Sequence, residues 1–544
     1  MDEFKLQLEE VIKDLYGLDF AVEVTVAPEN VDADYSSNVA LKLAKELHKA
    51  PMVISGEIAE KMGNVSVTAP GFINFRIDNT ELKKIVLKFN EDFAQEIITK
   101  DFAGKTVICE FSDPNPFKVL HVGHLYTSIV GDAISRLYEC AGANVVRANF
   151  GGDVGLHVAK TMYILRQKDL DELTIEDIGR CYVEGTAAYE DDEKAKTEIT
   201  KLNKEIYKIN AEDIHGTKLA DLYWRGRELS YEYFDKFYAS IGVKFDKYYP
   251  ESSVAGLGLE TVRKELEAGV YEESDGAVIF DGEKYGLHTR VFINSEGVPT
   301  YEAKDVGLIF QKDKDYHFDK SVVITGNEQL DYMKVVLKSV EQYAPELVKR
   351  TTHLTHGLVK LPGNVKMSSR KGNFLKAVDV LDLVKEALKT EYNSDDTKVS
   401  LAATKYAFIK YKMGGNIIFD PKESVKMTGN SGPYLLYSAV RAKKILRNVE
   451  KGEIQDYIYN IYERNLVKKM AEYGFILNEA VQEMAPHKVA GYLYELAQEF
   501  SRFYENCQVA KAPEERERAK LVQGYLNVMV HGLEILGIKI PEEM

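Results

Sequence analysis

The clearest patterning of apolar and polar positions lies between Lys105 and Gly142. The apolar run Thr106-Val107-Ile108-Cys109-Glu110-Phe111 reads as a buried strand. Pro114 and Pro116 exclude both helix and sheet pairing from the loop that follows. Leu125, Ile129, Ala133 and Leu137 then recur every four residues, which predicts one buried face of a helix. Gly142 supplies a C-terminal stop, and Val145-Val146 begins a second strand. Strand, Pro-rich turn, helix and strand make the opening unit of a doubly wound, nucleotide-binding parallel sheet.

Other segments carry their own periods. Leu6, Leu8, Val11, Ile12 and Leu15 predict an amphipathic first helix, and Val22 to Val26 alternates like a strand. Asn38 to His48 reads as a helix with Ser36 or Ser37 as its cap, and Gly71 to Ile77 as a strand. Residues 1–103 thus form a separate α+β module. Residues from about 160 to 290 are charged and read as largely helical, an insertion between two sheet halves. Val322 to Gly326 is a strand of the second half, with Gln329 at its exit, where open α/β sheets place ligands. From about 376 the chain reads as nearly all helix.

Composition narrows the class. At 544 residues several domains are expected, and 45% hydrophobic content is ordinary for a globular protein. No apolar stretch reaches the roughly 18 residues of a membrane span. Met1-Asp2-Glu3-Phe4-Lys5 lacks the apolar core of a signal peptide, so a cytoplasmic chain is expected. Cys109, Cys140, Cys181 and Cys507 form no Cys-x-x-Cys pair, which predicts reduced thiols and no zinc site. A net charge of −16 argues against a general coating of nucleic-acid contacts but leaves room for local basic patches.

The candidate chemistry sits at two places. His121-Val122-Gly123-His124 opens the predicted helix, where unpaired N–H groups and the helix dipole favour anions. Gly123 has no Cβ and lets a flat ring approach the backbone. ATP fits this arrangement, with phosphates on the imidazoles and adenine over the glycine. Two histidines that merely cap the helix fit it as well. The second place is Val365-Lys366-Met367-Ser368-Ser369-Arg370-Lys371-Gly372-Asn373, whose cations and hydroxyls can grip a triphosphate. A solvated basic loop is its plainer reading.

The two together resemble the paired signatures of class I aminoacyl-tRNA synthetases. Glu110-Phe111-Ser112-x-Pro114-Asn115-x-x-Lys118-x-x-His121 is similar to the arginyl form. So are Asp34-Tyr35-Ser36-Ser37-Asn38-Val39-Ala40, Asp246-Lys247-Tyr248-Tyr249-Pro250-Glu251-Ser252, Tyr301 to Asp305, and Gly432-Pro433-Tyr434-Leu435-Leu436-Tyr437. The resemblance covers the whole chain. It implies a Rossmann-like catalytic domain over 104–375, with its connective insertion at about 160–290. Residues 1–103 would be an N-terminal domain for the tRNA elbow, and 376–544 an all-α anticodon-binding bundle.

It implies arginine activation by ATP and transfer to the terminal adenosine of a tRNA. Partners are ATP with Mg2+, L-arginine and its tRNA; the chain is expected to be a monomer without zinc. His121, His124, Lys118 and Lys366 would be catalytic. Gly123, Met367, Ser368, Ser369 and Lys371 would join them around ATP. Asn115, Glu251, Tyr301, Asp305 and Gln329 would hold arginine. Arg441, Lys444 and Tyr437 would meet tRNA, among basic residues that include Lys468 and Lys469. Many arginyl enzymes activate arginine only with tRNA bound, and the same is expected here.

The chain departs from the family at three places. Asp113 stands where serine or alanine is usual, Val119 where proline is usual, and Ser369 where the signature has a second lysine. A cysteine-specific relative would show zinc-binding cysteines near the pocket. A pantothenate–β-alanine ligase would lack the bundle after 430. A non-catalytic RNA-binding paralogue would lack one of the two signatures.

Overall fold

The computed structural model describes residues 2–28, 31–90, 97, 99–168, 172–362, 375–449, 452 and 457–544. They divide into two compact units. The first comprises the N-terminal 95 residues with Arg441–Tyr473 and Leu496–Val528. Its antiparallel sheet is ordered Thr25–Val26, Tyr35–Ser37, Phe72–Phe75, Val65–Thr68. The flanking helices include Asp2–Tyr16, Val39–Leu47, Pro51–Met62 and Asn79–Asn90. Ser36 and Ser37 lie in the second of these strands. Ser37 Oγ accepts from Val39 N, while Asn38 is the N-cap residue.

A buried ion cluster holds this unit together. Asp34 accepts two bonds from Arg464 and one from the backbone N–H of Ile77. Lys468 Nζ stands 3.4 Å from the same carboxylate. Burial alone would raise the Asp34 pKa; Arg464, Ile77 N–H and Lys468 together hold it below its ordinary value. The expectation of Lys468 as a surface cation is therefore corrected. It is 5% exposed, because a buried carboxylate needs a cation beside it.

The second unit is built on a parallel sheet. Its strands are β1 (Thr106–Glu110), β2 (Asn144–Gly151), β3 (Lys247–Pro250), β4 (Lys320–Gly326) and β5 (Thr351–His356). They are ordered β5-β4-β1-β2-β3, so the order reverses between β1 and β4. The apolar run of β1 is covered on both faces, as parallel sheets require. The helix Val122–Cys140 buries not one face but most of its surface. Helices Ala377–Tyr392 and Thr397–Ile409 pack against it, in addition to the sheet. Gly142 follows it with φ 90°, as its stop role predicts.

Two features of the segment 160–290 differ from a helical insertion. β3 belongs to the main sheet, and Glu272–Ser274, Ala277–Phe280 and Arg290–Ile293 form a small antiparallel sheet. The helices Glu251–Glu267 and Tyr301–Tyr316 cross at glycines. A Cβ on Gly258 would stand 1.9 Å from Ala303 O, and one on Gly307 2.3 Å from Val254 O. Only a residue without a side chain permits that approach, and it sets Glu251 beside the first turn of the second helix. Among the described residues, no helix is long and apolar enough to cross a membrane.

Candidate active site

A cavity of about 600 Å³ opens at the carboxyl ends of β1 and β4, where the strand order reverses. That is the place an open parallel sheet offers to ligands. Two kinds of wall meet there, one made for anions and one for cations.

The anion wall is the start of the helix Val122–Cys140. His121 is its N-cap residue: its Nδ1 accepts from Gly123 N at 3.1 Å, and His124 Nδ1 accepts from His121 N at 3.1 Å. The histidines therefore do cap the helix, and both also line the cavity. Capping fixes their chemistry. A neutral imidazole that accepts at Nδ1 carries its proton on Nε2, so each ring has one N–H left to donate. The rings are stacked, 3.7 Å between centroids. Burial, with the charges of Lys118 and His356, pushes His121 down to about 4; burial and His121 depress His124 as well. Both are neutral donors at pH 7.

The expectation of unpaired backbone amides at this terminus is corrected. Val122 N donates to Leu375 O at 2.9 Å, Gly123 N to His121 Nδ1 and His124 N to His121 O. The imidazole Nε2–H groups, rather than the amides, are what the helix end offers to phosphate. The flat ring against Gly123 is that of His121: an added Cβ would stand 2.9 Å from its Cε1.

The cation wall is acidic. Asp305, on Tyr301–Tyr316, is 9% exposed and accepts a bond from the Tyr332 hydroxyl. Burial pushes its pKa up to about 7, against the pull of that bond; the charges of Glu110 and Glu251 add to the rise. Tyr301 lies four residues before it, on the same face, and also lines the cavity. Glu251 opens the helix Glu251–Glu267 and is paired with Lys304, Nζ to Oε2 2.7 Å. Lys304 also donates to Tyr207 Oη at 3.0 Å. Asn115 Oδ1 accepts from Gly152 N at 2.7 Å, which leaves its Nδ2 to donate. Gln329 ends a short 3₁₀ turn at the exit of β4 and completes the amino-acid residues expected here. The loop carrying Asn115 is strained: Ser112, Asp113 and Phe117 have φ of 73°, 50° and 65°.

Other expected residues lie apart from the cavity lining. Lys118 Nζ stands 4.8 Å from the centre of the Tyr182 ring, although its charge reaches both histidines. Lys366, Met367, Ser368, Ser369 and Lys371 fall outside the described residues. The segment just after them is bonded to the helix end, through Leu375 O and through Ala377 N, which donates to Leu120 O at 3.0 Å. Tyr437 is exposed on the helix Gly432–Leu446, and Lys444 is exposed near its end. The Arg441 guanidinium lies 4.7 Å from the ring centre of Tyr504, itself 42% exposed. Sequence reasoning missed Lys304, Tyr332, Arg290 and His356, each in or beside this cavity. Lys304 alone had a signal, as a cation inside an otherwise acidic helical motif.

The family "tRNA synthetases class I (R), catalytic domain" matches residues 90–420. The chain belongs to it. The "DALR anticodon binding domain" matches residues 435–544, and "Arginyl tRNA synthetase N terminal domain" matches residues 2–77. The chain is similar to an arginine–tRNA ligase of Clostridium perfringens, 29% identical over 98% of each chain. It is also similar to one of Treponema denticola, 30% identical over 94% of each. The fold is that of the Thermus thermophilus arginyl-tRNA synthetase, with a TM-score of 0.76 at 24% identity over both whole chains. The Plasmodium falciparum enzyme superposes with a TM-score of 0.72 at 21% identity, covering 100% of this chain and 99% of its own.

Proposed function

We propose that this arginine–tRNA ligase activates L-arginine in the cavity between β1 and β4. The carrying observation is the meeting there of two neutral Nε2–H donors and a buried acidic wall. ATP enters with Mg2+, held by its phosphates and water. The arginine carboxylate attacks the α-phosphorus and pyrophosphate leaves. His121 and His124 donate to phosphate oxygens as charge develops, from positions already set by the helix cap. Lys118 and the Lys366-Met367-Ser368-Ser369 signature with Lys371 assist at the phosphates, and Gly123 lies under the nucleotide.

Asn115 Nδ2 and Gln329 orient the carboxylate end of arginine. The guanidinium, a planar fork of donors, goes to Asp305, Glu251 and Tyr301. Asp305 is held by Tyr332. The 2′-hydroxyl of the terminal adenosine of tRNA then attacks the carbonyl carbon of the arginyl adenylate, the bond to phosphate breaks and AMP leaves. Residues 1–103 take the tRNA elbow, and the bundle after 376 takes the anticodon with Tyr437, Arg441 and Lys444. The enzyme works as a cytoplasmic monomer.

ATP–pyrophosphate exchange across the twenty amino acids, with and without tRNA, tests this. Of the twenty amino acids only arginine should support exchange, and only when tRNA is present. Exchange driven by another amino acid would overturn the assignment.

A further inference from the structure

The helix Glu251–Glu267 starts from Pro250, whose ring offers no acceptor for the first amides of the helix. The acceptor comes from Asp153, which is fully buried and follows the end of β2 by two residues. Asp153 lies 99 positions before Ser252 in the chain. Its Oδ1 accepts from Ser252 N at 3.0 Å, and its Oδ2 from the Ser252 hydroxyl at 2.7 Å. Ser252 stands directly after Glu251. A carboxylate at this place satisfies an orphan amide and complements the positive end of the helix.

Asp153 is itself held by the charged helical segment that follows it in sequence. Arg227, on the helix Lys218–Ile241, donates Nε to Asp153 Oδ2 at 3.0 Å. It supplies the counter-charge that a buried carboxylate requires. Tyr223, one turn earlier, donates its hydroxyl to Asp153 O at 3.1 Å and accepts from Asn210 Nδ2 at 2.8 Å. Asn210 lies on the helix Glu193–Ala211, which also carries Tyr207, the acceptor for Lys304. Glu251 is therefore fixed twice by the same segment: its backbone through Asp153, its carboxylate through Lys304. Asp153, Asn210, Tyr223 and Arg227 all lie outside the cavity lining.

We propose that Asp153 is a positioning residue for arginine activation. Through Ser252 it sets the start of the helix that presents Glu251. Through Arg227 and Tyr223 it makes that setting depend on the helical insertion. The inference rests on the reading above and deepens it. Asp153 touches no substrate, so its effect is geometric. A first turn without its acceptor frays, and a group displaced by about 1 Å can cost roughly 10²-fold in rate.

The test uses the full chain with tRNA and follows pyrophosphate exchange against arginine and ATP separately. Asp153→Ala removes the acceptor, whereas Asp153→Asn keeps an oxygen for Ser252 N and loses only the charge. In Asp153→Ala, KM for arginine should rise and kcat/KM for arginine should fall by roughly 10²-fold, while KM for ATP stays near wild type. Asp153→Asn should recover most of that loss. Ser252→Ala removes only the hydroxyl bond, at a half-buried residue, and carries the test should Asp153→Ala not fold. It should raise KM for arginine to a smaller extent, again without moving KM for ATP. A merely structural Asp153 would lower the melting temperature and the active fraction, reducing kcat at unchanged KM for both substrates. That pattern would overturn the inference. So would an unchanged KM for arginine in Ser252→Ala, or an Asp153→Asn enzyme no better than Asp153→Ala. Failure of the wild type to activate arginine would instead overturn the functional reading.

Discussion

Lys304 Nζ lies 2.7 Å from Glu251 Oε2, and the two residues are 2% and 5% exposed. Glu251 is therefore not a bare carboxylate waiting for a guanidinium. Burial raises its pKa and Lys304 counters that; burial opposes the charge of Lys304, and Glu251 with Tyr207 carry its pKa above the ordinary value. In the proposed site, the pair leaves Asp305 as the guanidinium's principal counter-charge.

Breaking that pair from the lysine side should be costly. Lys304→Met leaves a buried carboxylate unpaired, which costs about 3–5 kcal/mol. The urea midpoint should fall, and KM for arginine should change as Glu251 turns toward a new partner. Lys304→Met with Glu251→Gln should recover much of the lost stability, because the charge left behind is gone. A double variant no more stable than Lys304→Met would show that the pair is not coupled.

Asp305→Ala should lose roughly 10²–10⁴ in kcat/KM for arginine, from about 3–5 kcal/mol of buried charge pairing. ATP affinity should hardly change. Discrimination against citrulline, which has the same shape without the charge, should collapse. Exchange kinetics with arginine, citrulline and lysine measure all three; wild-type discrimination in the variant would remove Asp305 from its role.

The raised pKa of Asp305 has a sign that can be checked. With a value of about 7 in the free enzyme, the carboxyl is largely protonated at pH 6 and ionised at pH 8. Glu110 and Glu251 face it and raise it, while Lys312 and the Tyr332 hydroxyl lower it. Guanidinium binding needs the ionised form, so KM for arginine should fall as pH rises from 6 to 8. Binding at pH 6 should release protons, seen by calorimetry in buffers of different ionisation enthalpy. Asp305→Asn should remove the inflection near 7.

His124→Ala removes one Nε2–H donor and the acceptor for His121 N. Pyrophosphate exchange should fall by roughly 10²–10³-fold, the usual scale for one preorganised donor. Binding of tRNA, followed by filter retention, should stay near wild type. Because both histidines are neutral well below pH 7, their titration should leave no inflection between pH 6 and 8.

The Arg441 guanidinium lies over the Tyr504 ring, and in the proposed anticodon-binding bundle the pair is a candidate stacking surface for a base. Stacking on one aromatic ring is worth about 1–3 kcal/mol per base. Tyr504→Ala should therefore raise KM for tRNA by roughly 10-fold or more, at unchanged KM for arginine under saturating tRNA. Arg441→Gln should also flatten the salt dependence of tRNA binding. An unchanged KM for tRNA in both variants would move the anticodon site elsewhere in the bundle.

Local periods in the sequence determined β1, its Pro-rich turn, the following helix with its stop at Gly142, and β4. They also placed Tyr301 and Asp305 on one helical face. These follow from residues a few positions apart, where backbone geometry alone sets which side chains share a side. Motif resemblance supplied the arginyl assignment and eight of the residues that line the cavity. The partners of the charges were decided only by the tertiary structure. Glu251 meets Lys304 across two helices that touch at Gly258 and Gly307. Lys468, which reads as a surface cation, is drawn into the core by Asp34, more than 400 positions away in the chain. The helix-end amides are consumed by Leu375 and by the histidines themselves. A buried charge or donor is satisfied by whichever group the fold brings within about 3 Å, and no sequence period encodes that meeting.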